Sequence, residues 1–116
     1  MVHIMERNEQ FEILQKAKSE ITKWAAKESI DLHQIEFVVP FVEKDLSLYV
    51  WFFYKTKQAV SLHKGDGISD KLKKQFMQIL LKGGYPENYL AGVDCGFDSD
   101  ENVKKNYKGN YFYRLR

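Results

Sequence analysis

One stretch from Leu46 to Thr56, L-S-L-Y-V-W-F-F-Y-K-T, constrains the fold of this chain more than any other. It is almost entirely β-branched, aromatic or leucine, which is the composition that a pleated, half-buried surface favours. Alternate positions form two faces of a strand, and both faces are apolar in the middle. Such a strand needs cover on each side, so we predict that it lies at the centre of a sheet.

Size and composition limit the class of protein. The chain has 116 residues, enough for one domain with a hydrophobic core. No apolar run approaches the ~20 residues that cross a bilayer, and the first residues lack the apolar segment of a secretory signal. The single cysteine, Cys95, has no partner for an internal disulfide, which suits a reducing compartment. We therefore expect a cytoplasmic protein that does not bind membranes.

Hydrophobic periodicity predicts two main helices. Apolar residues recur every three or four positions across residues 6–29, which indicates the first helix. The second helix is predicted to begin at Ser69 or Asp70 as its N-cap and to end at Gly83-Gly84. Its apolar face consists of Leu72, Phe76, Ile79 and Leu80.

Four further segments have the composition of strands. Pro40 cannot donate a ladder hydrogen bond, so the strand that contains it is predicted to lie near an edge. The turn at Glu43-Lys44-Asp45 would join that strand to the central one as an antiparallel hairpin. Ser99 is predicted to cap a short helix that reaches about Tyr107. The four strand segments are Ile35 to Val42, Ala59 to His63, Tyr89 to Phe97 and Tyr111 to Leu115.

Together these elements predict an α+β fold. Residues 1–116 would form a single domain with a mainly antiparallel sheet of about five strands, packed with two main helices. The predicted order of elements is α-β-β-β-α-β-β, with the short helix before the last strand.

No motif in the sequence points to catalysis or to a cofactor. His3, His33 and His63 lie far apart in the sequence and outside any metal-ligand pattern. His63 near Asp66 has two interpretations, a base with its orienting carboxylate or the polar end of a strand, and we favour the second. No lysine or arginine adjoins Cys95 to lower its pKa, which favours an inert, buried thiol. We expect no enzyme activity, no cofactor and no metal.

One acidic segment resembles the start of a calcium-binding loop. Asp98, Asp100 and Asn102 have the spacing of the first three ligands of an EF-hand. That loop also needs glycine at its sixth position and glutamate at its twelfth, where this chain has Val103 and Gly109. We therefore interpret the segment as a solvated loop with a helix cap.

The C-terminal tail carries a resemblance to a known family. It reads S-D-E-N-V-K-K-N-Y-K-G-N-Y-F-Y-R-L-R from Ser99 to Arg116 and follows a helix that ends in G-G-Y-P. Together these segments resemble the C-terminal part of small cytoplasmic immunity proteins of bacterial toxin systems. The resemblance implies a non-enzymatic α+β domain that neutralises one cognate toxin by binding it. It identifies no individual binding residue.

Charge suggests which surfaces would bind a partner. Residues 1–50 carry a formal charge of −3 and residues 51–116 carry +5. An acidic partner-binding segment would suit a basic nuclease domain of a toxin, whereas the basic second helix would suit an acidic partner. The acidic candidates are Asp94, Asp98, Asp100 and Glu101.

Two other classes of function remain open. The first is a small nucleic-acid-associated module that uses the basic C-terminal half, although +5 falls short of the dense basic face of most such proteins. The second is a small enzyme with His63 or Cys95 in a pocket. The lysines of the first alternative are Lys55, Lys57, Lys71, Lys73, Lys74, Lys104, Lys105 and Lys108.

Overall fold

A computed structural model of the chain describes residues 5–42 and 44–115. His3, Glu43 and Arg116 lie outside the described residues. The described residues form one α+β domain. Its elements are α1 (Arg7–Lys27), β1 (Leu32–Val38), β2 (Leu48–Tyr54), α2 (Lys57–Gly65), α3 (Ile68–Lys82), α4 (Glu87–Leu90), β3 (Val93–Ser99), α5 (Asp100–Asn106) and α6 (Tyr111–Arg114).

The predicted central strand is confirmed as β2. The strand order is β1-β2-β3, with β2 antiparallel to β1 and parallel to β3. A parallel pair needs a long crossover between its strands, and here the crossover consists of α2, α3 and α4. The predicted hairpin of β1 and β2 and the edge position of β1 are also confirmed, although β1 ends before Pro40.

One face of the sheet packs against the helices and holds the main core. Alternate residues of β2 on this face are at most 1% exposed, and they belong to one cluster with apolar residues of α1 and α3. Phe76 of α3 packs edge-on against Phe52 with ring centroids 5.6 Å apart, and it stacks with Phe37 of β1 at 6.0 Å. The β2 residues on this face are Leu48, Val50, Phe52 and Tyr54.

The two predicted main helices are confirmed, but the predicted start of the second is wrong. Gly67 is the N-cap of α3 with a φ of 84°, and the side chain of Asp66 accepts a hydrogen bond from the amide of Ile68 at 2.9 Å. Ser69 lies inside the helix, where its hydroxyl bonds to the phenol of Tyr54 at 2.8 Å. The glycine stop is confirmed, since Gly83 is the C-cap.

The predicted strand from Ala59 to His63 is wrong, because these residues belong to helix α2. The hydroxyl of Thr56 accepts a hydrogen bond from the amide of Ala59 at 3.1 Å and so caps the helix. Ala59 and Val60 pack against the core on one side of α2. A five-residue apolar segment fits one helical turn as well as a strand, and here the cap determines the outcome.

The predicted last strand from Tyr111 to Leu115 is also wrong. Tyr111–Arg114 forms the single-turn helix α6, because the side chain of Asn110 accepts a hydrogen bond from the amide of Tyr113 at 3.1 Å. The sheet of the described residues therefore has three strands instead of about five, and it is mixed instead of mainly antiparallel. Ser99 caps α5 as predicted.

We predict that Phe52→Ala strongly destabilises the domain. Phe52 is 0% exposed, and truncating a buried phenylalanine costs about 3–5 kcal/mol through lost contacts and a cavity. Urea unfolding measures the change. The control is Leu81→Ala at a residue that is 52% exposed, and it should change the stability by about 0.5 kcal/mol or less. Equal stability of the two variants would contradict the packing of the central strand.

Candidate partner-binding face

The second face of the sheet is built from three cross-strand rows and is called the open face here. The strand register places one residue of each strand in each row, with the β2 residue in the middle. The β2 positions are all aromatic, and the flanking positions include three carboxylates. The rows are Val38–Tyr49–Asp94, Glu36–Trp51–Gly96 and Gln34–Phe53–Asp98.

A glycine allows the aromatic rings to lie across β3. A Cβ atom at Gly96 would come within 2.8 Å of Cζ3 of Trp51 and of Cε1 of Tyr49, which is closer than a Cβ atom approaches a non-bonded heavy atom. The two rings therefore cover the backbone of β3 at this glycine. Their centroids lie 5.0 Å apart, and the Trp51 ring lies 6.2 Å from that of Phe53. The three rings form a continuous aromatic ledge along β2.

The end of the chain covers part of this ledge. Tyr111 packs edge-on against Phe53 with ring centroids 4.8 Å apart. The guanidinium carbon of Arg114 lies 4.4 Å from the centre of the Trp51 ring, and its Nε donates to Oδ2 of Asp98 at 2.5 Å. We call these contacts of Tyr111 and Arg114 the C-terminal clasp. Cation–π stacking and an ion pair together fix the guanidinium of Arg114.

Exposure rises along the ledge away from the clasp. Phe53 is 0% exposed under Tyr111, Trp51 is half-buried under Arg114, and Tyr49 is 37% exposed. Asp94, beside Tyr49 in the register, is also exposed. The accessible part of the open face is therefore the row of Tyr49 together with one side of Trp51.

Asp98, one of the four predicted partner-binding residues, organises the clasp. Besides Arg114, its carboxylate accepts hydrogen bonds from the backbone amide of Ser99 at 2.7 Å and from Nδ2 of Asn102 at 2.9 Å. Its acceptor oxygens are thus directed at groups within the chain.

Asp100, the second predicted residue, is buried behind the clasp. Its carboxylate lies 2.8 Å from Nζ of Lys104, accepts a hydrogen bond from the Tyr111 hydroxyl at 2.6 Å and lies 3.5 Å from Nε2 of His33. The hydrogen bonds from Lys104 and Tyr111 lower the pKa of Asp100, against the opposing effect of burial. Burial and the same hydrogen bond raise the pKa of Tyr111. Asp100 therefore anchors the tail to β3.

The other two predicted residues lie on different surfaces. Glu101 is exposed, and its carboxylate accepts a hydrogen bond from the backbone amide of Lys57 at 3.0 Å, at the start of α2. Asp94 belongs to the accessible row of the open face. The structure thus brings Asp98 and Asp100 together as internal anchors and leaves Asp94 beside the exposed aromatic ring.

An exposed apolar loop follows the edge strand. Phe41 is 104% exposed, Val42 is 64% exposed, and Val38, at the end of β1, is 38% exposed. Phe11 of α1 is 46% exposed and lines a shallow depression together with Phe41. Val38 is the register partner of Tyr49, so apolar exposure continues from the open face into this loop.

Sequence reasoning missed the residues that define the open face, namely Tyr49, Gly96 and Arg114. One feature of the sequence indicates this face: the central strand is apolar on both faces, so residues outside the main core must pack on the second face. The helices supply one cover, and the tail that was expected to be a strand supplies part of the other.

His63, Asp66 and Cys95, the candidates for a catalytic role, each make contacts within the fold. Nδ1 of His63 lies 3.0 Å from Oδ2 of Asp66, and the imidazole packs on Tyr54 with centroids 4.9 Å apart. The amide of Ile68 and the contact with His63 lower the pKa of Asp66. Cys95 is half-buried on the helix-covered side, and burial raises its pKa to about 11, which keeps the thiol protonated at neutral pH.

The lysines considered for nucleic-acid binding are divided among several elements. Lys71 lies 3.0 Å from the carboxylate of Glu28, and Lys104 lies 2.8 Å from that of Asp100. These two cations are therefore paired within the chain. The basic residues occupy α3 (Lys71, Lys73, Lys74), α5 (Lys104, Lys105), the turn after it (Lys108) and the segment from β2 into α2 (Lys55, Lys57).

Among residues 5–42 and 44–115, no three His, Cys, Asp or Glu side chains are grouped as metal ligands would be. No helix in this part of the chain is long and apolar enough to cross a bilayer. No protein-family model, curated protein or solved structure matches the chain.

We predict that Arg114→Ala opens the clasp. The loss of the stacking and of the ion pair should lower the free energy of unfolding by about 1–2 kcal/mol and increase the quenching of Trp51 by acrylamide. Trp24→Phe in all variants removes the other tryptophan. Arg114→Lys should recover only part of the loss, because an ammonium group lacks the planar fork of guanidinium.

The matched control for the clasp is Tyr113→Ala, on the same helical turn but 55% exposed. It should leave both the stability and the quenching of Trp51 close to those of the parent. If Arg114→Ala behaved like this control, the contact between Arg114 and Trp51 would not hold the tail in place.

We predict that Asp100 contributes stability that depends on pH. Its folded-state pKa lies below the ordinary value of 3.8, so its contribution is present above that value and is lost as the pH falls through the folded pKa. Asp100→Asn should therefore destabilise the protein at neutral pH, and the difference from the parent should shrink in acid. Urea unfolding at several pH values measures it. In a Lys104→Met background, Asp100→Asn should cost less stability at neutral pH than it does in the parent. If the stability of Asp100→Asn and of the parent changed in parallel with pH, the ionised Asp100 would not contribute the expected stability.

Proposed function

We propose that this protein is a non-enzymatic binding protein of the immunity or inhibitor type, which neutralises a cognate bacterial toxin in the cytoplasm by direct binding. The resemblance of its C-terminal tail to small immunity proteins supports the class. The observation that carries the proposal is the exposed end of the aromatic ledge on the open face, where Tyr49 and Trp51 lie beside carboxylates.

The composition of this surface is that of a protein interface. Tyrosine, tryptophan and arginine are enriched at the energetic centres of interfaces, and contiguous exposed apolar surface marks interaction sites. Here Tyr49, Trp51 and Arg114 lie together, and Val38 and Phe41 extend the apolar surface. A partner that covered this surface would bury the exposed rings at its centre.

The charge of the surface favours a basic partner. Glu36 and Asp94 border the accessible rings. A basic toxin domain, for example a nuclease that binds nucleic acid, has the complementary charge. In this proposal Asp94 faces the partner, Glu101 lies on another surface, and Asp98 and Asp100 act through the clasp that shapes the face.

The test is co-expression with the product of the gene immediately upstream, with toxicity and co-purification as readouts. We expect the chain to restore growth and to form a complex. Tyr49→Ala should weaken the complex about tenfold or more, as truncation of a central interface tyrosine does. Circular dichroism checks that the variant is folded.

Leu81→Ala is the matched control, because it removes an exposed apolar side chain from α3, away from the open face. It should bind as the parent does. If no complex formed, the proposed function would be wrong. If Tyr49→Ala bound as well as Leu81→Ala, the open face would not be the binding surface.

A further inference from the structure

The C-terminal clasp shows which ligand chemistry the open face accepts. The guanidinium of Arg114 lies over the Trp51 ring at 4.4 Å, with Tyr107 at 5.7 Å and the carboxylate of Asp98 within hydrogen-bond distance. An aromatic face and a coplanar carboxylate are the two groups that bind a guanidinium best. Within the chain, this part of the face therefore already binds an arginine.

The row of Tyr49 also contains an aromatic ring and a carboxylate, although here both belong to one row, whereas Trp51 and Asp98 belong to adjacent rows. The ring of Tyr49 continues the ledge 5.0 Å from Trp51, and Asp94 lies opposite Tyr49 in the register of β2 and β3. Gly96 keeps β3 free of a side chain between Asp94 and Asp98, so that both rings reach across the strand. Unlike the row of Phe53, this row is accessible, since Tyr49 is 37% exposed.

The negative charge of the three rows favours the binding of a cation. Their ionisable side chains, apart from the Tyr49 phenol, are the carboxylates of Glu36, Asp94 and Asp98. Arg114 compensates Asp98, and the amide of Gln34 donates to Glu36 without neutralising it. The accessible end of the face is therefore negative and aromatic, which is complementary to a positively charged, planar group.

We propose that the row of Tyr49 and Asp94 binds an arginine side chain of the protein partner, beside the position that Arg114 occupies. The partner guanidinium stacks on Tyr49 and donates to the carboxylate of Asp94. The arrangement favours arginine over lysine, because only a planar guanidinium stacks on a ring while it donates hydrogen bonds in its own plane. This inference deepens the proposed function and rests on it for the identity of the partner as a protein.

The test uses an acetylated, amidated tetrapeptide of arginine as the probe, titrated into the ¹⁵N-labelled protein at low salt. We expect saturable shifts of the amide signals of Asp94 and Gly96. A lysine tetrapeptide of equal charge should bind at least about threefold more weakly, since stacked guanidinium and ammonium differ in geometry. Tyr49→Ala and Asp94→Asn should each weaken arginine binding about fivefold or more.

Asp70→Asn is the matched control, because it removes one exposed carboxylate at the first turn of α3, away from the open face. It should leave the affinity for the arginine peptide unchanged. Equal binding of the two peptides, equal effects of Asp94→Asn and Asp70→Asn, or the absence of localised shifts would each overturn the proposal.

The outcomes separate this inference from the proposed function. If the toxin complex formed and depended on Tyr49 while the arginine peptide did not bind, the arginine site would be refuted and the binding function would stand. If the peptide bound with the expected selectivity but no toxin complex formed, the arginine site would be supported and the proposed function would be refuted.

Discussion

The need to cover a central strand that is apolar on both faces governs this structure. Helices α1 and α3 bury Val50 and Phe52 on one face and form the main core. In the described part of the chain, α5 and then α6 follow β3, and α6 has a single turn. Its Tyr111 and Arg114 cover Phe53 and part of Trp51. The open face is what this incomplete cover leaves accessible.

The elements that the sequence predicted well are those with a long or strongly biased pattern. The central strand and the two main helices each have enough residues for period and composition to agree. The segments from Ala59 to His63 and from Tyr111 to Leu115 are too short for that, and polar caps decide their structure. Thr56 and Asn110 each accept a hydrogen bond from an amide of the following turn, which starts a helix instead of a strand.

The acidic segment shows why a binding surface is hard to predict from charge alone. Four nearby carboxylates look equivalent in the sequence, but the register of β3 and the start of α5 separate them. Asp94 is exposed in a row of the open face, whereas Asp100 is buried and bonded to Lys104 and Tyr111. Several of the side chains that bond to Asp98 and Asp100 come from residues 4 to 16 positions further along the chain. Spacing in the sequence does not reveal such contacts, because they depend on how the C-terminal segment packs against the sheet.

Both ends of the aromatic ledge combine an aromatic ring with a carboxylate. At one end, Asp98 and Trp51 bind an arginine of the chain itself and so stabilise the fold. At the other end, the exposed Asp94 lies opposite Tyr49 in the register of β2 and β3, and Tyr49 is 37% exposed. A side chain at Gly96 would force the rings away from β3 and would disturb both ends at once. The glycine therefore links the packing of the C-terminal tail to the shape of the surface that remains available for a partner.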